Sequence, residues 1–281
     1  MLANLDNEVI FKKAFTDKIV FKAFVRDILG IEVEVDKIET EKQFEPRIGY
    51  VDFKLDIFAE TTDKRIVIEI QRVEYDHNFD RFLHYFLMTI AEQQKRSKAY
   101  GIEQTVYVIV VLTAPYKISE KNGKPIKDEV LLMKLNPRDL QGIERDLYGH
   151  QIVFLNPNHP NENTPQAIRD WLDLIYQSIY NSERPVLNRE NEGINRVVEI
   201  ISFENLTPEE RAESKNQESA IITKKVYETA AREEGREEGR EEMIIETVKN
   251  GLKANLSMEI LAQLTNLNAT EIDKIIKRLE K

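Results

Sequence analysis

"KLDIFAETTDKRIVIEIQ", residues 54–71, decides how this chain folds. Two apolar, β-branched runs flank the short polar stretch Thr61-Thr62-Asp63-Lys64, the pattern of two antiparallel strands joined by a tight turn. A loop of even length places Glu60 opposite Arg65, Ile57 opposite Ile68 and Leu55 opposite Ile70. On the other face Asp56 then meets Glu69, and Lys54 meets Gln71. A slip of one residue would set Ile against Asp, so the apolar pattern selects this register. Directly opposed residues have Cβ atoms about 4.5–5.5 Å apart, where like charges destabilise the pair. Two acids so placed must be solvated, share a proton or bind a cation. Hard oxygen donors of this kind suit Mg²⁺ or Mn²⁺. A divalent ion on carboxylates in turn suits phosphodiester hydrolysis.

Outward from the hairpin, residues 78–98 carry Phe79, Phe82, Leu83, Phe86 and Ile90 on one helical stripe. The almost unbroken apolar run "QTVYVIVVLTAP" (104–115) reads as a strand buried on both faces. Strand, helix and strand from 65 to 112 make a right-handed crossover with two parallel neighbours. Upstream, residues 8–29 space Phe11, Phe15, Phe21, Phe24 and Ile28 as one helix stopped by Gly30, and "IEVEVDKIE" (31–39) alternates as a half-buried strand. Downstream, short strands are expected at 129–135 and 151–155. A helix then starts at Thr164-Pro165, with Thr164 as its N-cap and Trp171 inside. The expected fold is α/β, a mixed central sheet with helices packed on it.

Composition narrows the chemistry. The 281 residues include no Cys, which removes thiolate and disulfide chemistry and fits a reducing cytoplasm. Only four His occur, with no HxxxH pair, so zinc is a poor fit. The longest apolar run, "VYVIVVL" (106–112), falls far short of the roughly 18 residues that would indicate a membrane span, and the N-terminus lacks the order of a signal peptide. A net charge of −10 argues against a nonspecific, high-affinity DNA binder. It leaves room for an enzyme whose bound cation attracts phosphate locally.

From Thr207 the character changes. "TPEE" is a capping box that opens a long helix, which runs into the repeat "REEGREEGREE" (232–242). Each Gly weakens a helix by roughly 1 kcal/mol relative to Ala, so the repeat reads as a polar, marginal spacer. Residues 204–250 hold 13 acids and 8 bases, so half of the chain's excess negative charge sits there. Two short amphipathic helices follow, capped by Ser257 and by Asn268 with Glu271. The expected organisation is a main domain over 1–203, a charged helical linker over 204–250, and a small module over 251–281. That module reads equally as a dimerisation element or as helix-turn-helix-like.

Asp56, then Glu69-Ile70-Gln71, resembles the D-x(n)-E-x-K/Q core of the PD-(D/E)XK nuclease superfamily. The element order is similar to that superfamily's restriction-endonuclease-like αβββαβ core. More narrowly, "EVIFKKAF", "LDIFAETTDKRIVIEIQ", "NFDRFLHYFLMTIAEQ" and the charged Gly-repeat tail resemble the transposase-like recombination-promoting nucleases of bacteria, over most of residues 4–113. The resemblance implies a DNA endonuclease in which Asp56 and Glu69, with the Ile70 carbonyl, hold Mg²⁺ or Mn²⁺. Gln71 stands where the superfamily usually has Lys and would orient a water. Lys54, opposite Gln71 in the expected register, is a candidate for the missing charge. Glu8 lies where relatives carry an acid ahead of the Phe11-Lys12 pair and would either add a ligand from the first helix or stand as an exposed helical acid. Asp52, on the strand face of Asp56 but further out, would support the site from outside or be solvated. Arg81, His84 and Tyr85, on the next helix, would either meet phosphate or each serve a structural role. Cutting both strands implies a homodimer through the tail. The other reading is a catalytically weak or inactive nuclease scaffold that binds DNA or protein, which the acidic charge and the missing lysine favour.

Overall fold

The computed structural model describes residues 1–44, 53–72, 78–95, 100–113, 118–120 and 122–279. In chain order the strands are β1 (Ile38–Lys42), β2 (Leu55–Glu60), β3 (Lys64–Gln71), β4 (Thr105–Leu112), β5 (Ile118–Ser119), β6 (Pro125–Ile126), β7 (Val130–Lys134) and β8 (Gln151–Leu155). Six of them form one mixed sheet, ordered β1-β2-β3-β4-β8-β7, while β5 and β6 make a separate ribbon. The hairpin has the register that the apolar alternation selects: Ile57–Ile68, Phe58–Val67, Ala59–Ile66 and Glu60–Arg65. Thr61 closes its turn, donating its N–H to the Lys64 carbonyl at 2.8 Å and accepting from Lys64 N–H at 2.9 Å. The expected parallel pairing of β3 with β4 is present, from Lys64–Thr105 to Gln71–Leu112.

Helices cover both faces, which is why β3 and β4 are apolar along nearly their whole length. On one face Ile57, Ile66, Ile68, Ile109 and Val111 pack under α1 (Glu8–Phe15) and α2 (Lys18–Leu29), with residues of α4 (Gln166–Tyr180) and α5 (Glu192–Ile201) completing that core. Phe15, Phe24 and Trp171 interlock there, with ring centroids 4.8 and 5.0 Å apart in edge-on pairs. Trp171 also donates its indole N–H to Asp27 at 2.8 Å, so its one polar atom is satisfied. On the opposite face Phe58, Val67, Val108 and Val110 meet Phe82, Tyr85, Phe86 and Ile90 of α3 (Asn78–Ala91).

Several local expectations change. The single helix over 8–29 is two, because Asp17 caps a new start by accepting from Ile19 N–H at 3.0 Å and Val20 N–H at 3.3 Å. The Thr16 hydroxyl closes the preceding helix on the Lys12 carbonyl at 2.7 Å. The strand expected over 31–39 begins only at Ile38. Val33 and Val35 are buried as their alternation demands, but under the helices, without a backbone ladder. Helix 78–98 ends at Ala91, followed by one 3₁₀ turn (Glu92–Lys95), and Leu83 is exposed while Tyr85 joins the core. Thr164 does not cap α4. Its hydroxyl donates to the buried Glu129 instead, and Pro165 precedes the helix with no side-chain cap. Helix α5 had no sequence expectation. Its Asn191 cap, accepting from Gly193 and Ile194 N–H, was the available signal.

The chain divides into two units, Met1–Lys215 and Asn216–Lys281. Helix α6 (Pro208–Lys253) starts with the expected capping box, Thr207 N–H on Glu210 at 2.8 Å and Glu210 N–H on Thr207 at 3.2 Å, and continues through the Gly repeat. In the second unit α7 (Met258–Thr265) and α8 (Ala269–Leu279) bury Leu261 and Ile272 against Val248. Asn268 and Glu271 form the predicted box at 2.9 and 3.0 Å. No helix among the described residues is long and apolar enough to cross a membrane.

Candidate active site

The β2–β3 ladder stops at Ile57–Ile68, and the two acids take over from there. Asp56 N–H donates to Glu69 Oε1 at 2.9 Å, and Ile70 N–H donates to Asp56 Oδ2 at 3.0 Å. Each carboxylate therefore occupies the place of a backbone carbonyl on the opposite strand. Leu55 shows how the chain achieves this. It was expected beside Ile70, yet it packs on the α3 face with Phe58, while Ile57 and Ile70 lie on the other. The strand twists at Asp56, which turns its side chain toward β3 rather than out from the sheet. Strand β3 meanwhile keeps its pairing with β4 as far as Gln71–Leu112.

Burial makes this arrangement electrostatically tense. Glu69 is 1% exposed and the Asp56 side chain 20%. Loss of hydration raises the Asp56 pKa above the usual carboxylate range, with the Ile70 N–H and then Lys12 pulling it back only in part. Glu69 is pushed up much further, first by burial and then by the neighbouring Asp56 charge. Lys12, from α1, lies 3.7 Å from Asp56 Oδ1 through its Nζ, 2.9 Å from Glu41 Oε1, and in hydrogen-bond contact with Glu8. Burial alone would lower the Lys12 pKa, but its bonds to Glu8 and Glu41 and the Asp56 charge outweigh that and raise it.

The other expected residues are partly gathered here. Gln71 is buried at the end of β3, and its Oε1 accepts from the Arg81 guanidinium of α3. Arg81 lies over the Phe82 and Tyr85 rings at 4.9 and 5.6 Å. Its Nε and the Nε2 of His84 are buried and have no hydrogen-bond partner among the described residues. Lys54 does not face Gln71, because the ladder has already ended. Its Nζ turns to Glu41 Oε2 on β1 at 3.0 Å, well exposed. Glu8 bonds to Lys12, and its charge adds to the upward push on Asp56. Asp52 lies outside the described residues. Sequence reasoning passed over Lys12 and Glu41. The i,i+4 spacing of Glu8 and Lys12 was a usable signal, whereas nothing local marked Glu41.

A buried and a half-buried carboxylate, both with raised proton affinity, form the kind of set that a hard divalent cation relieves. Mg²⁺ commonly takes one or two carboxylates and keeps several waters, so Asp56, Glu69 and the adjacent Ile70 carbonyl fit it. Among the described residues there is no group of three or more His, Cys, Asp or Glu side chains arranged to hold a metal.

A six-stranded mixed sheet with helices on both faces, carrying an Asp–Glu pair where one strand leaves its hairpin partner, defines a restriction-endonuclease-like α/β fold. The chain belongs to the PD-(D/E)XK nuclease family transposases, whose family model matches residues 6–230. No curated protein and no solved structure matches the chain.

Proposed function

We propose that this nuclease-fold, transposase-related protein is a divalent-metal-dependent DNA endonuclease with Asp56 and Glu69 at its centre. The observation that supports this reading most is the crossed pair of bonds, Asp56 N–H on Glu69 and Ile70 N–H on Asp56. Without a cation, two like charges this close in a poorly hydrated site are a standing cost, which a role in holding metal would explain. Asp56, Glu69 and the Ile70 carbonyl would hold Mg²⁺ or Mn²⁺. When bound, the ion supplies Lewis-acid polarisation of the phosphodiester and a more acidic water. Gln71, braced by Arg81, would orient the attacking water in place of a lysine. Arg81 would add positive charge on the phosphate side. Cutting both strands would take two such sites, so the working unit would be a homodimer joined through the tail, acting in the cytoplasm.

A second reading, a scaffold that binds DNA or protein without cleaving, draws on the neutral Gln71 and on the two-carboxylate donor set. Cleavage of supercoiled plasmid with Mg²⁺ or Mn²⁺, beside Asp56→Ala and Glu69→Ala, separates the two. The endonuclease reading expects metal-dependent nicking or linearisation in the wild type and a loss of about 10³-fold or more in both variants. Equal rates in all three proteins would overturn it.

A further inference from the structure

We infer that Lys12 is the positioning cation of Asp56, held back by Glu8 and Glu41 so that it balances the Asp56 charge without occupying its free oxygen. This rests on the endonuclease reading above. Among the described residues Lys12 is the cation within 4 Å of either acid. Lys54 has turned to Glu41, and Arg81 is engaged on Gln71. Carboxylates from three elements converge on the one ammonium: Glu8 from α1, Glu41 from β1 and Asp56 from β2.

The distances are unequal in a way that matters. Glu41 takes Lys12 at 2.9 Å, a full charge-assisted hydrogen bond, and Glu8 takes a second. Asp56 Oδ1 stands at 3.7 Å, beyond hydrogen-bond reach but well inside coulombic range. Its other oxygen, Oδ2, is committed to Ile70 N–H. Asp56 is thus fixed through one oxygen and charge-balanced at the other, which keeps lone pairs for a second cation. Glu41 lies in the left-handed backbone region, φ 53°, unusual for a residue that is not glycine. That local kink is the geometry that delivers its carboxylate to Lys12. The Lys12 side chain is only 14% exposed, so its charge is poorly screened by water.

Opposite shifts in metal response test this. Lys12→Met removes a positive charge beside the acids. The half-saturating Mn²⁺ concentration should fall about fivefold while plasmid turnover falls about 10²-fold, because Asp56 loses its positioning partner. Lys12→Arg should restore most of that turnover. Glu41→Gln should act the other way: it frees Lys12 to close on Asp56 and raises the Mn²⁺ requirement. The same order should appear in the Mn²⁺-induced rise of melting temperature, largest in Lys12→Met and smallest in Glu41→Gln. That readout needs no cleavage. A wild type that binds Mn²⁺ without cutting would sink the endonuclease reading and leave the melting shifts to decide the role of Lys12. Wild-type turnover and Mn²⁺ response in Lys12→Met would overturn this role, as would shifts of the same sign in both variants.

Discussion

Asp56 and Glu69 grip each other's strands rather than each other's carboxyl groups. Glu69 accepts from the Asp56 amide at 2.9 Å, and Asp56 accepts from the amide after Glu69 at 3.0 Å. The pair therefore ends the β2–β3 ladder and charges that end at the same time. Both acids are needed to satisfy backbone N–H groups, so the fold cannot move one aside without exposing an unpaired donor.

Neutralising the buried partner should separate stability from activity. Glu69→Gln keeps an oxygen for the Asp56 amide and removes the like charge. We expect a gain of about 1–2 kcal/mol in urea unfolding without metal, together with loss of plasmid cleavage. A destabilised Glu69→Gln would show that the charge itself supports the fold.

The pair also sets a sign for pH. Folding raises the pKa of both acids: burial and then the Glu8 charge raise Asp56, while burial and then the Asp56 charge raise Glu69. Their stabilising contribution is complete below the unfolded carboxylate range, near about 4, and is lost as pH rises through the folded values. Asp27, burdened by burial but lowered overall by Arg26, Trp171 and Asn191, contributes the other way, above its unfolded value. In EDTA, wild type minus Asp56→Asn/Glu69→Gln should become less stable from mildly acidic to neutral pH. A flat difference across that range would contradict the assignment of the shifts.

Far from this end of the sheet, Arg65 is buried at the other end of β3. Its guanidinium donates to Glu92 at 2.7 Å, Gln104 at 2.8 Å, Glu60 at 3.0 Å and the Thr89 carbonyl at 3.2 Å. Removing one partner of a buried ion pair costs about 3–5 kcal/mol. Arg65→Met should lower unfolding free energy by that amount, measured by urea titration.

Glycines in two places should respond oppositely. A Cβ on Gly193 of α5 would stand 2.4 Å from the Ala23 Cβ and 3.0 Å from the Trp171 ring, so Gly193→Ala should cost about 1–3 kcal/mol. Gly235 and Gly239 of α6 have nothing within 4 Å of such an atom. Replacing both with Ala should strengthen the helix by up to about 1 kcal/mol each, read as higher melting of the helical circular-dichroism signal.

The alternating pattern of residues 54–71 determined the hairpin, its register and the presence of two acids at its open end, because period-two alternation is local and a slip would bury the wrong face. The two capping boxes were legible for the same reason, each closing within four residues. Some local signals went unread, such as Asp17 breaking the first helix and Asn191 opening α5. Tertiary structure alone decided the rest. Sequence register placed Lys54 across from Gln71, but the twist at Asp56 ended the ladder first and sent Lys54 to Glu41. Lys12 stands at Asp56 because packing of α1 against the sheet carries it there, with Glu41 brought from β1 by a kinked backbone. Spacing fixes which residues share a face. Which distant charges converge on that face depends on how elements pack and twist in three dimensions.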